Sequence, residues 1–165
     1  MPHNFTIRES LEEDFELIFQ IWMDNQAEAT GHAIADSAIN CRRGDLKRLF
    51  RMPDSKYYVA VSGSGRVIGW QSIMPLLSNP TLSKHIAQSS TYVEVGNVNR
   101  NIGTMLLAEA LRGAKKKGFE QVYGWIRSDH AVANQFALRF GTLRCHIPGS
   151  VSGNVPDFNL YVVDL

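Results

Sequence analysis

The residues best placed to do chemistry lie in one stretch, VEVGNVNRNIGTMLL at 93–107. A strand-like run enters it, and small and amide residues cross it: Gly96, Asn97, Asn99, Arg100, Asn101 and Gly103. An apolar stripe at helical spacing leaves it. The first amides of a helix have no partner within that helix, and the helix dipole favours negative charge beside them. The free amides at this helix start, with small residues nearby, therefore read as an anion site, and Arg100 adds a positive charge beside it. The chemistry would be recognition of a phosphate group. The stretch contains neither Gly-Lys-Ser/Thr nor Gly-x-Gly-x-x-Gly, which argues against nucleotide hydrolysis and dinucleotide binding.

Several elements must position this turn. Residues 4–8 alternate as a short strand. Ser10 and Glu13, at capping-box spacing, open a helix with Leu11, Phe15, Ile18, Phe19 and Trp22 on one face. Residues 24–44 read as irregular and polar, followed by a short helix from Asp45 to Arg51. A hairpin joins 57–61 to 66–74 through Ser62, Gly63, Ser64 and Gly65. The strand 88–95 then puts Gln88, Ser90, Tyr92 and Glu94 on one face. A helix over 101–117 ends in Lys115, Lys116 and Lys117, which complement its dipole, with Gly118 beyond. A strand at 121–126, a helix near 130–140 and strands near 142–147 and 158–164 complete the chain. The order β-α-α-β-β-β-α-β-α-β-β predicts an α/β fold with a mixed sheet, in a single domain over 1–165.

Composition narrows the classes further. A chain of 165 residues, 44% of them apolar, can bury one core. Lys plus Arg is 17 against 16 for Asp plus Glu, a net charge of +1, so no bulk basic field calls for nucleic acid. No run reaches about 18 apolar residues, and the N-terminus lacks a basic start with an apolar run. Neither a membrane span nor a signal peptide is expected, and the default setting is cytoplasmic and reducing. Cys41 and Cys145 are expected in the core. They, like the lone His85 and His146, lack metal-ligand spacing, so no metal is expected.

With these residues in view, the chain resembles the GNAT (GCN5-related) N-acetyltransferases, and among them the phosphinothricin acetyltransferase-like branch. QSSTYV at 88–93, followed by NRNIGTMLLAEAL, is similar to that branch's Glu-x-Ser-x-Tyr-Val, glycine-rich turn and Leu-Leu. HAVANQFALRFG at 130–141 is similar to its Asn-x-x-Ser-x-x-Leu-His/Tyr-x-x-x-Gly. The opening IRESLEEDFELIFQIW and the tail SGNVPDFNLYVVDL resemble its first strand and helix and its closing segment. The resemblance implies a GNAT-like fold and acetyl-CoA as cosubstrate. It implies acetyl transfer to the amine of a small molecule, an amino acid or analogue, by direct attack in a ternary complex. Pyrophosphate would lie over the amides of Arg100 to Thr104. Pantetheine would run along Val93 to Val95, where a backbone amide polarises the thioester carbonyl, and His130 would sit near that arm. The branch also implies a homodimer.

The departures carry information. Gln88 stands where the branch has its catalytic Glu, and Ala137 where it has His or Tyr. Val98 replaces Arg or Gln in the turn, and Asn101 replaces Gly, a position where Asn can still adopt a positive φ. Glu94, on the Gln88 face, is the nearest carboxylate and the candidate substitute base. A positioned base contributes typically 10²–10⁴ in rate. An α-amine is already roughly one-tenth neutral at pH 7, and a thiol of pKa about 8.5 departs with little help. A transferase using water held by Gln88 is therefore consistent with the sequence. So is a GNAT-fold protein that binds acyl-CoA with weak or no turnover, and so is an interaction domain without cofactor.

Overall fold

A computed structural model describes residues 4–76, 80–97, 101–150 and 155–165. Its elements follow the expected order: β1 (Phe5–Glu9), α1 (Phe15–Thr30), α2 (Asp36–Phe50), β2 (Lys56–Ser62), β3 (Val67–Pro75), β4 (Ile86–Val93), α3 (Ile102–Lys116), β5 (Gln121–Arg127), α4 (Ala131–Leu138), β6 (Thr142–Ile147) and β7 (Phe158–Asp164). The strands form one mixed seven-stranded sheet, ordered β1-β2-β3-β4-β5-β7-β6. β4 and β5 run parallel, as strands joined through a helix can. No helix among the described residues is long and apolar enough to cross a membrane. The chain divides into two compact units, Met1–Ile73 with Thr91–Ala110, and Met74–Ser90 with Leu111–Leu165.

The core of the first unit joins α1 to the strands. Ile18, Ile21, Tyr57, Val59, Val67 and Trp70 are buried together, with Trp22, Leu46, Phe50 and Tyr92 packed against them. The rings of Tyr57, Trp70 and Tyr92 stand in series, with centroids 5.6 and 4.7 Å apart, within the range of favourable aromatic pairing. The entry to α1 differs from the Ser10–Glu13 capping box. Asp14 does the work instead, accepting the Leu11 N–H at 2.7 Å and both ends of the Arg8 guanidinium at 2.6 and 2.9 Å. The Arg8 fork demands a carboxylate within reach of β1, and Asp14 provides it from a nearly buried position.

The segment 24–44, expected to be irregular, is mostly helical. α1 continues to Thr30 and stops at Gly31, whose φ of 71° only glycine adopts at little cost. α2 begins at Asp36 rather than Asp45. Not one of its residues is fully buried, so its sequence carries little apolar periodicity. Exposed ion pairs tie it to the start of α1: Arg43 with Glu16, and Arg51 and Lys47 with Glu12.

In the second unit, β5 pairs with β7 over its whole length, from Gln121 opposite Asp164 to Arg127 opposite Phe158. β6 closes the edge of the sheet, with a bulge between Leu143 and Cys145. The C-terminus of α3 ends in a Schellman turn: Gly118 has φ 89°, its N–H donates to Lys115 O at 3.0 Å, and the Phe119 N–H donates to Ala114 O at 3.2 Å. The cysteines depart from expectation, since Cys41 on α2 and Cys145 on β6 are both exposed. Neither helix α2 nor the edge strand β6 offers a buried position at those points.

Candidate active site

In the first unit, β4 stops at Val93, two residues short of the expected 95, so Glu94 and Val95 lie beyond the strand. The side chain of Asn25 on α1 donates to the Val93 carbonyl at 2.9 Å and pins that strand end. The Glu94 N–H donates to Ile68 O on β3, and the Asn97 N–H returns to Glu94 O, both at 2.9 Å. Gly96, at φ 87°, makes this turn possible. The Glu94 carboxylate is engaged in holding it. It accepts from Asn97 Nδ2 at 2.6 Å and pairs with Arg66. The candidate base is therefore a clamp on the turn in this structure. Tyr92, on the strand itself, has a phenol that burial raises above its ordinary pKa, opposed by hydrogen bonds from Trp22 and Gln26.

The turn delivers the chain to α3. Asn101 sits at φ 57°, the left-handed conformation that the glycine at this position would supply, and its carbonyl accepts the Met105 N–H at 3.1 Å. Asn is among the few residues that tolerate it. Ile102 and Leu106 are fully buried and seat the first turn of α3 on β3 at Gly69. A Cβ built at Gly69 would come within 3.1 Å of Ile102, 3.2 Å of the Tyr92 carbonyl and 3.3 Å of Leu106. Gly69 thus lets the helix start close against the sheet. Gly103 and Thr104 follow on its first turn, half-buried. Their amides and that of Ile102 precede any intrahelical acceptor. Arg100 and Val98 lie outside the described residues.

In the second unit, Gln88 pairs directly opposite Tyr123. It is half-buried, and its carboxamide makes no hydrogen bond with any described residue. The β4–β5 ladder runs from Ile86–Gln121 to Ser89–Gly124 and ends there, although β5 continues to Arg127. His130 serves as the N-cap of α4, its Nδ1 accepting the Ala133 N–H at 3.2 Å. By that bond, the neutral ring is assigned its proton on Nε2. Ala137 is buried and offers no polar atom.

One polar residue escaped the sequence reading. Asn134 donates to the Arg127 and His130 carbonyls, each at 2.8 Å, and its Oδ1 accepts from Asn159 at 2.8 Å and from the Tyr161 hydroxyl at 2.7 Å. It locks the end of β5 to α4 and β7. The only sequence signal was its place inside the 130–141 motif. Two side chains that could have anchored a substrate carboxylate are already paired, Arg127 with Asp129 and Arg144 with Asp164. No cluster of three metal-ligating side chains occurs among the described residues.

No sequence-family model matches the chain, and no curated protein matches it by sequence. Solved structures match it in architecture. A ribosomal-protein-alanine N-acetyltransferase from Brucella melitensis superposes with a TM-score of 0.79 at 20% identity, over 97% of this chain and 99% of that one. An N-acetyltransferase from Staphylococcus aureus Mu50 gives 0.79 at 20% identity, over 98% of each chain. A GNAT superfamily phosphinothricin acetyltransferase from Sinorhizobium meliloti, in complex with AcCoA, gives 0.73 at 20% identity, over 98% of this chain and 89% of that one. The chain has the GNAT fold. The mixed seven-stranded sheet with its four helices matches that fold, which is the fold the resemblance implied.

Proposed function

We propose that the chain is an acetyl-CoA-dependent N-acetyltransferase acting on the amine of a small molecule, with residues 1–165 working as one domain. The observation that carries this reading is the β4–α3 junction. Its strand end is pinned by Asn25, its turn is clamped by Glu94, and a left-handed Asn101 opens a 15-residue helix seated on Gly69. Such a junction presents uncharged amides at a fixed helix start, and residues 101–104 contain no carboxylate to repel a pyrophosphate. The donor set therefore fits the phosphate end of a coenzyme A. The GNAT-fold structure from Sinorhizobium meliloti is described with AcCoA, which supports the same cosubstrate here.

Acetyl-CoA supplies an acyl group already activated as a thioester. The protein's part is to bind, orient and exclude water. On this reading Arg100, Asn101 and the amides of Ile102, Gly103 and Thr104 hold the pyrophosphate. The backbone from Val93 to Val95 lies along the pantetheine arm, with His130 near it. The Gln88 carboxamide oxygen accepts an N–H of the acceptor and orients its lone pair. Transfer forms a C–N bond and breaks the C–S bond, and the proton lost by the nitrogen reaches the departing sulfur through water. Gln88 cannot take that proton and Glu94 is held by Arg66, so the acceptor must arrive as free amine. Proximity and carbonyl polarisation then supply the rate.

Calorimetric titration with acetyl-CoA tests the cosubstrate. Micromolar binding with thiol release on adding an amine is the expected result. Gly103→Asp, which puts a carboxylate beside the helix start, should weaken that binding at least tenfold, by about 1.4 kcal/mol or more; unchanged affinity would remove the pyrophosphate from this turn. The second reading, a GNAT-fold protein that binds acyl-CoA without turnover, is favoured by Gln88 and Ala137. Binding without thiol release from any amine would establish it. The reading extends to a cytoplasmic setting and to a homodimer, which sedimentation at micromolar concentration checks.

A further inference from the structure

The second unit also carries information about the body of the acceptor. Residues directly opposite in a ladder present their side chains on the same face, and residues two apart along a strand do likewise. Gln88 opposite Tyr123 therefore shares a face with Trp125. Across β7, Trp125 stands opposite Leu160, and Leu160 opposite Cys145 on β6; Phe158 and Ile147 continue the same face. α4 lies on the other face, because Asn134 bonds Asn159 and Tyr161, which alternate with Phe158 and Leu160. Trp125 keeps 44% of its surface exposed. The free carboxamide of Gln88 thus borders a platform of aromatic and aliphatic side chains.

The charges on that face discriminate between acceptors. Among the described positions of β5 and β7 that share it, Arg127 is the one cation, and Asp129 grips its guanidinium at 3.0 and 2.6 Å. A carboxylate on the acceptor would have to compete with Asp129. An aromatic ring has an exposed indole to stack on.

We propose that Tyr123 and Trp125 form the acceptor platform and select an amine with an uncharged aromatic body, an arylalkylamine, over an amino acid. The inference rests on the transferase reading with Gln88 at the acceptor. The ring lies on Trp125 and the primary amine reaches the Gln88 carboxamide. Trp125 is a specificity-determining residue and takes no part in bond making.

The test titrates the full chain with 2-phenylethylamine, ethylamine and phenylalanine, followed by calorimetry and indole emission. The wild type is compared with Trp125→Ala and Trp125→Phe. 2-Phenylethylamine should saturate, with the other two at least about tenfold weaker. Trp125→Ala should weaken its binding about tenfold, and Trp125→Phe should retain most of it. Equal binding of the three compounds, or no effect of Trp125→Ala, overturns the proposal. So does a dimer that Trp125→Ala dissociates with no response to amines, since the face would then belong to a second copy. Acetyl-CoA is titrated separately. Its binding with unselective amines removes only the platform, whereas 2-phenylethylamine binding without it removes the transferase reading and the acceptor role together.

Discussion

Asn101 shows how much one backbone angle can carry. A left-handed conformation costs an ordinary L-residue roughly 1–2 kcal/mol, and Asn meets that requirement at φ 57° where the resemblance would put glycine. Asn101→Gly should keep the melting temperature and the acetyl-CoA affinity. Asn101→Val should lower stability by about 1–2 kcal/mol and weaken acetyl-CoA, measured by denaturant unfolding and calorimetry. Gln88 makes the opposite point, a position where chemistry is absent. Gln88→Glu would install a proton acceptor on a half-buried site that has no hydrogen-bond partner among the described residues. Thiol release at pH 7 should rise on the order of 10²-fold; an unchanged rate would move the acceptor away from β4. Both positions were identified through the family pattern. Asn134 was not, because its partners Asn159 and Tyr161 lie 25 and 27 residues away, and only tertiary structure makes an ordinary helical amide into a junction.

Among the elements, α3 and β3 are coupled through the missing side chain of Gly69. Gly69→Val would drive a branched side chain into Ile102, Leu106 and the Tyr92 carbonyl. Overpacking of this kind costs typically 1–3 kcal/mol, and the strain falls on the first turn of α3. Thermal unfolding should show the loss, and acetyl-CoA affinity should fall with it; a variant that loses stability and keeps affinity would separate the helix start from the ligand. The strands and α3 were legible in the sequence because alternation, β-branched runs and glycines mark them. β6 and β7 fall on the residues the pattern gave, 142–147 and 158–164. The helices at 24–50 were not legible. α2 buries no residue completely, so it lacks the apolar period on which such readings depend. The expected strand 88–95 lies two residues beyond the observed Ile86–Val93, because Glu94 and Val95 keep its alternation, while the turn at Gly96 is closed by a hydrogen bond from Asn97.

For the whole molecule, acid stability should depend on Asp14. Burial pushes its carboxyl up, but the Arg8 guanidinium and the Leu11 N–H outweigh that and leave it below the ordinary carboxylate range. A carboxyl with a lowered folded pKa adds stability that is present above its unfolded value, about 3.9, and is lost as pH falls through the folded one. Asp14→Asn should remove roughly 1–2 kcal/mol at pH 7, a moderate figure because Arg8 is 39% exposed and partly screened. It should also flatten the fall in stability below about pH 4, read from urea unfolding at each pH.

The two exposed thiols have a consequence of their own. Cys41 lies on α2 in the first unit and Cys145 on the edge strand β6 in the second. A molecule with two distinct reactive points is a bifunctional monomer. In air, a bond from the first kind of point to the second leaves one of each free, so growth need not close into a ring. Disulfide-linked oligomers are the expected product of air oxidation, checked by non-reducing electrophoresis, and a medium held reducing by thiols should prevent them.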